Sequence, residues 1–88
     1  MSYTLYFEEA ALKDLARIDK PWRERIKKKL LLFAENPDVL KGAVKLLKGD
    51  AYRGLSRLRV GDYRVVFRKE DTRLIVVVVR VGHRKEIY

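Results

Sequence analysis

The chain has 88 residues, 48% hydrophobic and 38% charged, with 21 Lys and Arg against 12 Asp and Glu for a net charge of +9. A chain of this length supports one domain, residues 1–88, with one core, and its charges are too well interleaved with apolar residues for disorder. With no cysteine and a single histidine, His83, it excludes disulfides, thiolate catalysis and cysteine-bound zinc, so neither metal nor cofactor is expected.

The excess positive charge points instead to nucleic acid, an acidic membrane surface or an acidic protein partner. Met1–Glu9 lacks the basic-then-apolar pattern of a signal peptide. The longest apolar run, Leu74–Val79, falls far short of the roughly 20 residues that cross a bilayer. The expectation is a cytoplasmic protein with no membrane contact.

In chain order, Tyr3-Thr4-Leu5-Tyr6-Phe7 is short and aromatic-rich and predicts a strand with Tyr3, Leu5 and Phe7 inward. From Glu8 to Ile18 the period changes, and Ala11, Leu12, Leu15, Ala16 and Ile18 form a helical stripe. Pro21 breaks that helix at Lys20 and opens a second one. Trp22, Ile26, Leu30 and Phe33 recur along it until Asn36-Pro37 ends it after Glu35. Asp38–Tyr52 holds Gly42 and Gly49 and no steady period, so it reads mainly as loop with at most one strand-like turn. From Leu55 onward the chain reads as strand. The unbroken run Leu74–Val79 predicts a strand buried on both faces at the centre of the sheet. The expected fold is α+β, ordered β-α-α-β-β-β, a small antiparallel sheet with a two-helix hairpin packed on one face.

The most informative segment is Arg57-Leu58-Arg59-Val60-Gly61-Asp62-Tyr63-Arg64-Val65-Val66-Phe67. A Gly-Asp connection between alternating runs predicts a β-hairpin with Val60 opposite Tyr63, Arg59 opposite Arg64 and Arg57 opposite Val66. Leu58, Val60, Tyr63, Val65 and Phe67 then share one face, and Arg57, Arg59 and Arg64 the other. Like charges directly opposite one another destabilise a sheet. Their concentration on a rigid element therefore predicts an anionic ligand and phosphate chemistry. The remaining cations have plainer readings: Lys27–Lys29 a solvated helix face, Arg73 and Arg80 solubilising charges, and Arg17, Arg23 and Arg25 partners for nearby carboxylates. Tyr63 belongs with the core by its parity.

These residues resemble the RelE toxins of the RelE/ParE superfamily of type II toxin–antitoxin systems. The resemblance runs from Phe7–Leu15 through Arg23–Leu30, Lys45–Gly49 and Leu58–Phe67 to the ending Gly82-His83-Arg84-Lys85-Glu86-Ile87-Tyr88. It implies an α+β domain that cleaves mRNA in the ribosomal A site. It also implies a cognate acidic, RelB-like antitoxin, contact with operator DNA only through that antitoxin, and a toxin that is a monomer alone and a hetero-oligomer with its partner. Arg64 matches a position that stabilises the scissile phosphate. Arg84 matches a phosphate ligand that acts as acid toward the leaving group, and Tyr88 a tyrosine that stacks on or orients the nucleotide. Arg57 falls where a basic residue, often lysine, has been discussed as general base. Arg59, Lys48 and Lys85 are expected to bind RNA. One departure is Leu55, where the prototype carries a second lysine.

The chemistry is consistent with these positions. RNA carries its own nucleophile, the 2′-OH, so an enzyme must align it, accept its proton, stabilise the phosphorane-like charge and protonate the leaving oxygen. Arginines supply the charge, because guanidinium binds phosphate bidentately. Arginine stays protonated, so Arg57 is not the base. The proton acceptor is then His83, Tyr88, Lys85, a ribosomal group or water, with His83 favoured by its ordinary pKa. Two other readings stay open: a ParE-type gyrase inhibitor without enzymatic activity, and an RNA-binding module that does not cut.

Overall fold

A computed structural model describes residues 2–85. Its strands are β1 (Thr4–Phe7), β2 (Val44–Leu46), β3 (Ser56–Val60), β4 (Tyr63–Glu70) and β5 (Ile75–His83). Its helices are α1 (Glu9–Ala16) and α2 (Lys20–Glu35), and two 3-10 segments, Pro37–Ala43 and Asp50–Tyr52, flank β2. The strands form one sheet in the order β1-β5-β4-β3-β2.

The Gly-Asp connection sets the register expected of it: Val60 pairs with Tyr63, Arg59 with Arg64 and Arg57 with Val66. That phase turns Leu58, Val60, Val65 and Phe67 toward the helices, where they meet Ala11, Leu15, Ile26, Leu30 and Phe33 in a single core. Phe33 and Phe67 pack edge to face across it, with ring centroids 4.9 Å apart. Gly61 sits at φ +58, in the left-handed region, and the Trp22 ring covers it. The Leu74–Val79 expectation holds in part: β5 lies inside the sheet between β1 and β4, and Val76, Val77 and Val78 are buried, but β4 is the middle strand, Leu74 belongs to the preceding turn and Val79 is only half-buried. Among the described residues no helix is long and apolar enough to cross a membrane.

Three expectations need correction. The sheet is mixed, because β1 pairs parallel to β5, with Thr4 opposite Ile75 and Phe7 opposite Val78. The other neighbours run antiparallel, but β1 connects onward through both helices rather than through a hairpin, and alternating burial does not encode strand direction. Within the segment read mainly as loop, Val44–Leu46 is an edge strand on β3, with Val44 opposite Leu58 and Lys45 opposite Arg57. Three residues are too few to show a period, and β3 supplies the order. Finally, the α1 stripe is narrower than its pattern: Ala11 and Leu15 are buried, while Leu12 is 53% exposed and Ala16 is also exposed. A short helix set against one strand has room for a single line of contact.

That contact explains a charge pair. β1 ends opposite Val78, so beyond it the β5 edge has no neighbouring strand. Asp14 of α1 fills the place, accepting the Val81 N–H at 2.9 Å and two bonds from the Arg80 guanidinium, at 2.8 and 3.2 Å. Arg80 is thus a clamp between helix and sheet, where its sequence suggested only a solubilising charge. Partial burial opposes ionisation of Asp14. The Arg80 bonds, the Val81 amide and the Arg17 charge outweigh it and hold the carboxyl below its ordinary range.

Candidate nucleic-acid interface

With the helices on one face, the other face of the β2-β3-β4 half-sheet carries Lys45, Arg57, Arg59 and Arg64. Direct pairing forms two rows: Lys45, Arg57 and Val66 in one, Arg59, Arg64 and Gly82 in the next. A groove of about 340 Å³ runs along this surface, lined by Lys45, Leu46, Leu47, Lys48, Tyr52, Arg57 and Arg64. The structure therefore brings Arg57, Arg64 and Lys48 together, with Arg59 opposite Arg64 at its margin.

Arg57 is anchored to the backbone: its Nη1 donates to the Ala43 carbonyl at 3.1 Å, tying β3 to the residue before β2. Arg64 is only lightly tethered, with Nη1 3.4 Å from the Tyr63 carbonyl and 3.5 Å from that of Gly61. Among the described residues the acidic partners lie elsewhere. Glu9 pairs with Lys13, Asp14 with Arg80, Asp50 with Arg53, Glu70 with Arg68 and Arg73, and Asp71 with Lys69. No such pair reaches Lys45, Lys48, Arg57, Arg59 or Arg64. The groove is thus a preorganised cationic surface suited to phosphate.

Arg84 sits at the turn end of the same surface. Its N–H donates to the Asp62 carbonyl at 2.8 Å, continuing the β4–β5 ladder beyond the Arg64–Gly82 pair. Position 84 lies in the turn just beyond β5, two residues past Gly82, the partner of Arg64. Lys85 follows it and is exposed. Tyr88 lies outside the described residues.

His83 goes elsewhere. It pairs with Tyr63, whose side chain faces the helices, so the imidazole shares that face and meets the Tyr63 ring edge-on at 5.7 Å. Tyr63 in turn packs against Trp22 at 5.2 Å. A separate cleft of about 280 Å³, between the end of α1 and β5, receives His83 together with Asp14, Arg17 and Arg80. The structure does not bring His83 to Arg57 and Arg64. The reason is phase. A bulge at Val66/Phe67, where Arg80 faces Val66 and Val78 faces Phe67, leaves Val79 as an extra residue and shifts every later side chain. A run of valines gives no sign of it. Sequence reasoning also assigned no role to Lys45 and Tyr52, which line the groove; Lys45 lay in the segment read mainly as loop.

Fold and groove define a small α+β protein with helices on one sheet face and an uncompensated cationic surface on the other. Residues 5–88 match the family model of the ParE toxin of type II toxin–antitoxin systems, parDE. The chain is 34% identical over 90 residues to the mRNA interferase toxin RelE of Escherichia coli K12, covering 100% of this chain and 92% of that one. Among solved structures, the isolated E. coli RelE toxin superposes with a TM-score of 0.73 at 30% identity, covering 93% of this chain and 84% of that one. The toxin–antitoxin complex RelBE2 of Mycobacterium tuberculosis gives 0.70 at 29%, covering 96% and 100%. An archaeal RelE–RelB complex from Pyrococcus horikoshii gives 0.78 at 22%, covering 99% and 100%, a likeness of fold alone. The chain belongs to the RelE family within the RelE/ParE superfamily of type II toxins.

Proposed function

We propose that this toxin is an endoribonuclease that cleaves mRNA in the ribosomal A site and is silenced by an acidic antitoxin. The observation that carries the reading is the groove in which Arg57 and Arg64 stand with Lys45 and Lys48, none of them ion-paired to a carboxylate of the described residues. In this reading the scissile phosphate lies against Arg57 and Arg64, whose charge stabilises the dianionic phosphorane as the 2′-OH attacks phosphorus. The bond to the 5′-oxygen then breaks, leaving a 2′,3′-cyclic phosphate; Arg84, at the turn end, binds the phosphate and hydrogen-bonds the leaving oxygen, which takes its proton from water. Arg59, Lys48 and Lys85 hold flanking phosphates, and Tyr88 stacks on a base. His83 opens onto the helix-covered face, which leaves Tyr88, Lys85, water or a ribosomal group to accept the 2′-OH proton. The charge term comes from arginine, and no step of this reading calls for a metal.

The net charge of +9 favours an acidic, RelB-like antitoxin, and relatives were solved as RelE–RelB complexes. Operator DNA is reached only through that partner; alone, the toxin is a monomer. A ParE-type gyrase inhibitor is the second reading, because the matching family model is that of ParE. Primer extension on an mRNA incubated with the toxin and translating ribosomes tests the first. Cuts in reading frame support it. Intact mRNA together with blocked supercoiling by gyrase would replace it with the second.

A further inference from the structure

We propose that His83 is a positioning residue that fixes Arg84 beside Arg64, and does not itself accept the substrate proton. The kinetic part of this inference rests on the endoribonuclease reading. The imidazole is half-buried against Tyr63, and its Nδ1 accepts the Lys85 N–H at 3.3 Å. A side chain that accepts from the backbone N–H two residues on closes a turn in the manner of an Asx turn. Inside that turn lies Arg84, whose own N–H is bonded to Asp62 at 2.8 Å. Both peptide N–H groups bordering the Arg84 side chain are thereby committed, one to the hairpin that carries Arg64 and the other to the imidazole. A segment beyond a final strand otherwise frays, and a guanidinium stabilises a transition state best when its position is fixed beforehand.

Only a neutral imidazole can accept at Nδ1; protonation would set N–H against N–H and open the turn. Among the described residues the charged and titratable groups around it are Asp14 on α1, Arg17 just beyond it, Tyr63 on β4, Arg80 on β5, and Arg84 and Lys85 after β5. Asp14 is already bonded to Arg80 and Val81, so the Lys85 amide is the partner that registers the change.

The experiment compares wild type, His83→Asn and His83→Phe in two measurements. Asparagine can close the same turn through its side-chain oxygen; phenylalanine keeps the ring against Tyr63 and removes the acceptor. In single-turnover cleavage at neutral pH, His83→Asn should stay within about threefold of wild type and His83→Phe fall about tenfold, the scale of a lost orienting contact. The wild-type rate should decline on acidification, as the imidazole takes a proton and can no longer accept at Nδ1, and that decline should vanish in His83→Asn. In the isolated protein, the Lys85 amide resonance should follow the imidazole titration in wild type and not in His83→Phe. Loss of about 10²–10⁴ in both variants would make His83 a base and overturn the inference. So would a Lys85 amide indifferent to the imidazole. Wild-type protein that never cleaves defeats the endoribonuclease reading instead, and the amide titration still decides the role of His83.

Discussion

Trp22 lies so close over Gly61 that a β-carbon on the glycine would meet the indole at 2.5 Å. The helix side chain that holds the turn is thus the one that forbids a side chain there, which ties α2 to the hairpin bearing Arg59 and Arg64. Gly61→Ala should therefore destabilise the fold twice over. Left-handed geometry costs a non-glycine residue about 1–2 kcal/mol, and displacing the indole about 1–3 kcal/mol more. Combining it with Trp22→Ala should cost less than the sum of the single variants, because the clash is removed. Urea denaturation of the single and double variants measures both; strict additivity would mean that the two residues do not interact.

Asp14 should matter more for stability than an exposed ion pair. Asp14→Ala leaves the Val81 N–H without its acceptor and Arg80 without its partner, a loss of about 1–3 kcal/mol. The sign of its pH dependence follows from a folded pKa below the unfolded one. Its contribution is present above the unfolded value, about 3.9, and is lost as pH falls through the lower folded value. Denaturation midpoints followed from about pH 6 downward should fall more steeply in wild type than in Asp14→Ala. Parallel curves would remove Asp14 as the linked group.

Arg64→Ala and Arg84→Ala should each lower cleavage by about 10²–10³, the usual effect of removing one preorganised charge donor. Neither side chain is in the core, so stability should move by no more than about 0.5 kcal/mol. Growth arrest at equal expression, with circular dichroism as the check on folding, tests both. Toxicity retained by either variant takes that arginine out of the phosphate site.

Lys45→Ala and Lys48→Ala should weaken binding of an uncleavable RNA, carrying a 2′-deoxy at the scissile position, without sequence preference. Each lost phosphate contact should reduce the slope of log affinity against log salt by about 0.7, the single-strand value. Titrations at several salt concentrations give the slope directly. An unchanged slope for Lys45→Ala would confine the RNA to the other side of the groove.

The local rules in this sequence settled a great deal. A glycine and an aspartate between alternating runs fix one register, and that register alone places Arg57, Arg59 and Arg64 opposite the core side of the hairpin. The helical stripe Ile26, Leu30 and Phe33 likewise admits a single buried face. The resemblance to RelE was carried by the same hairpin together with the ending Gly82–Tyr88. Other features depend on partners distant in the chain. The direction of β1 follows from the edge at which it docks, and the three residues of β2 become a strand only because β3 lies beside them. The face taken by His83 turns on one unpaired valine, since a single bulged residue in a period of about 2 reverses every side chain beyond it. An unbroken apolar run carries no record of that reversal. The sequence thus determined the cationic hairpin face, while tertiary pairing decided that Lys45 and Tyr52 line the groove beside Arg57 and Arg64 and that His83 lies behind it.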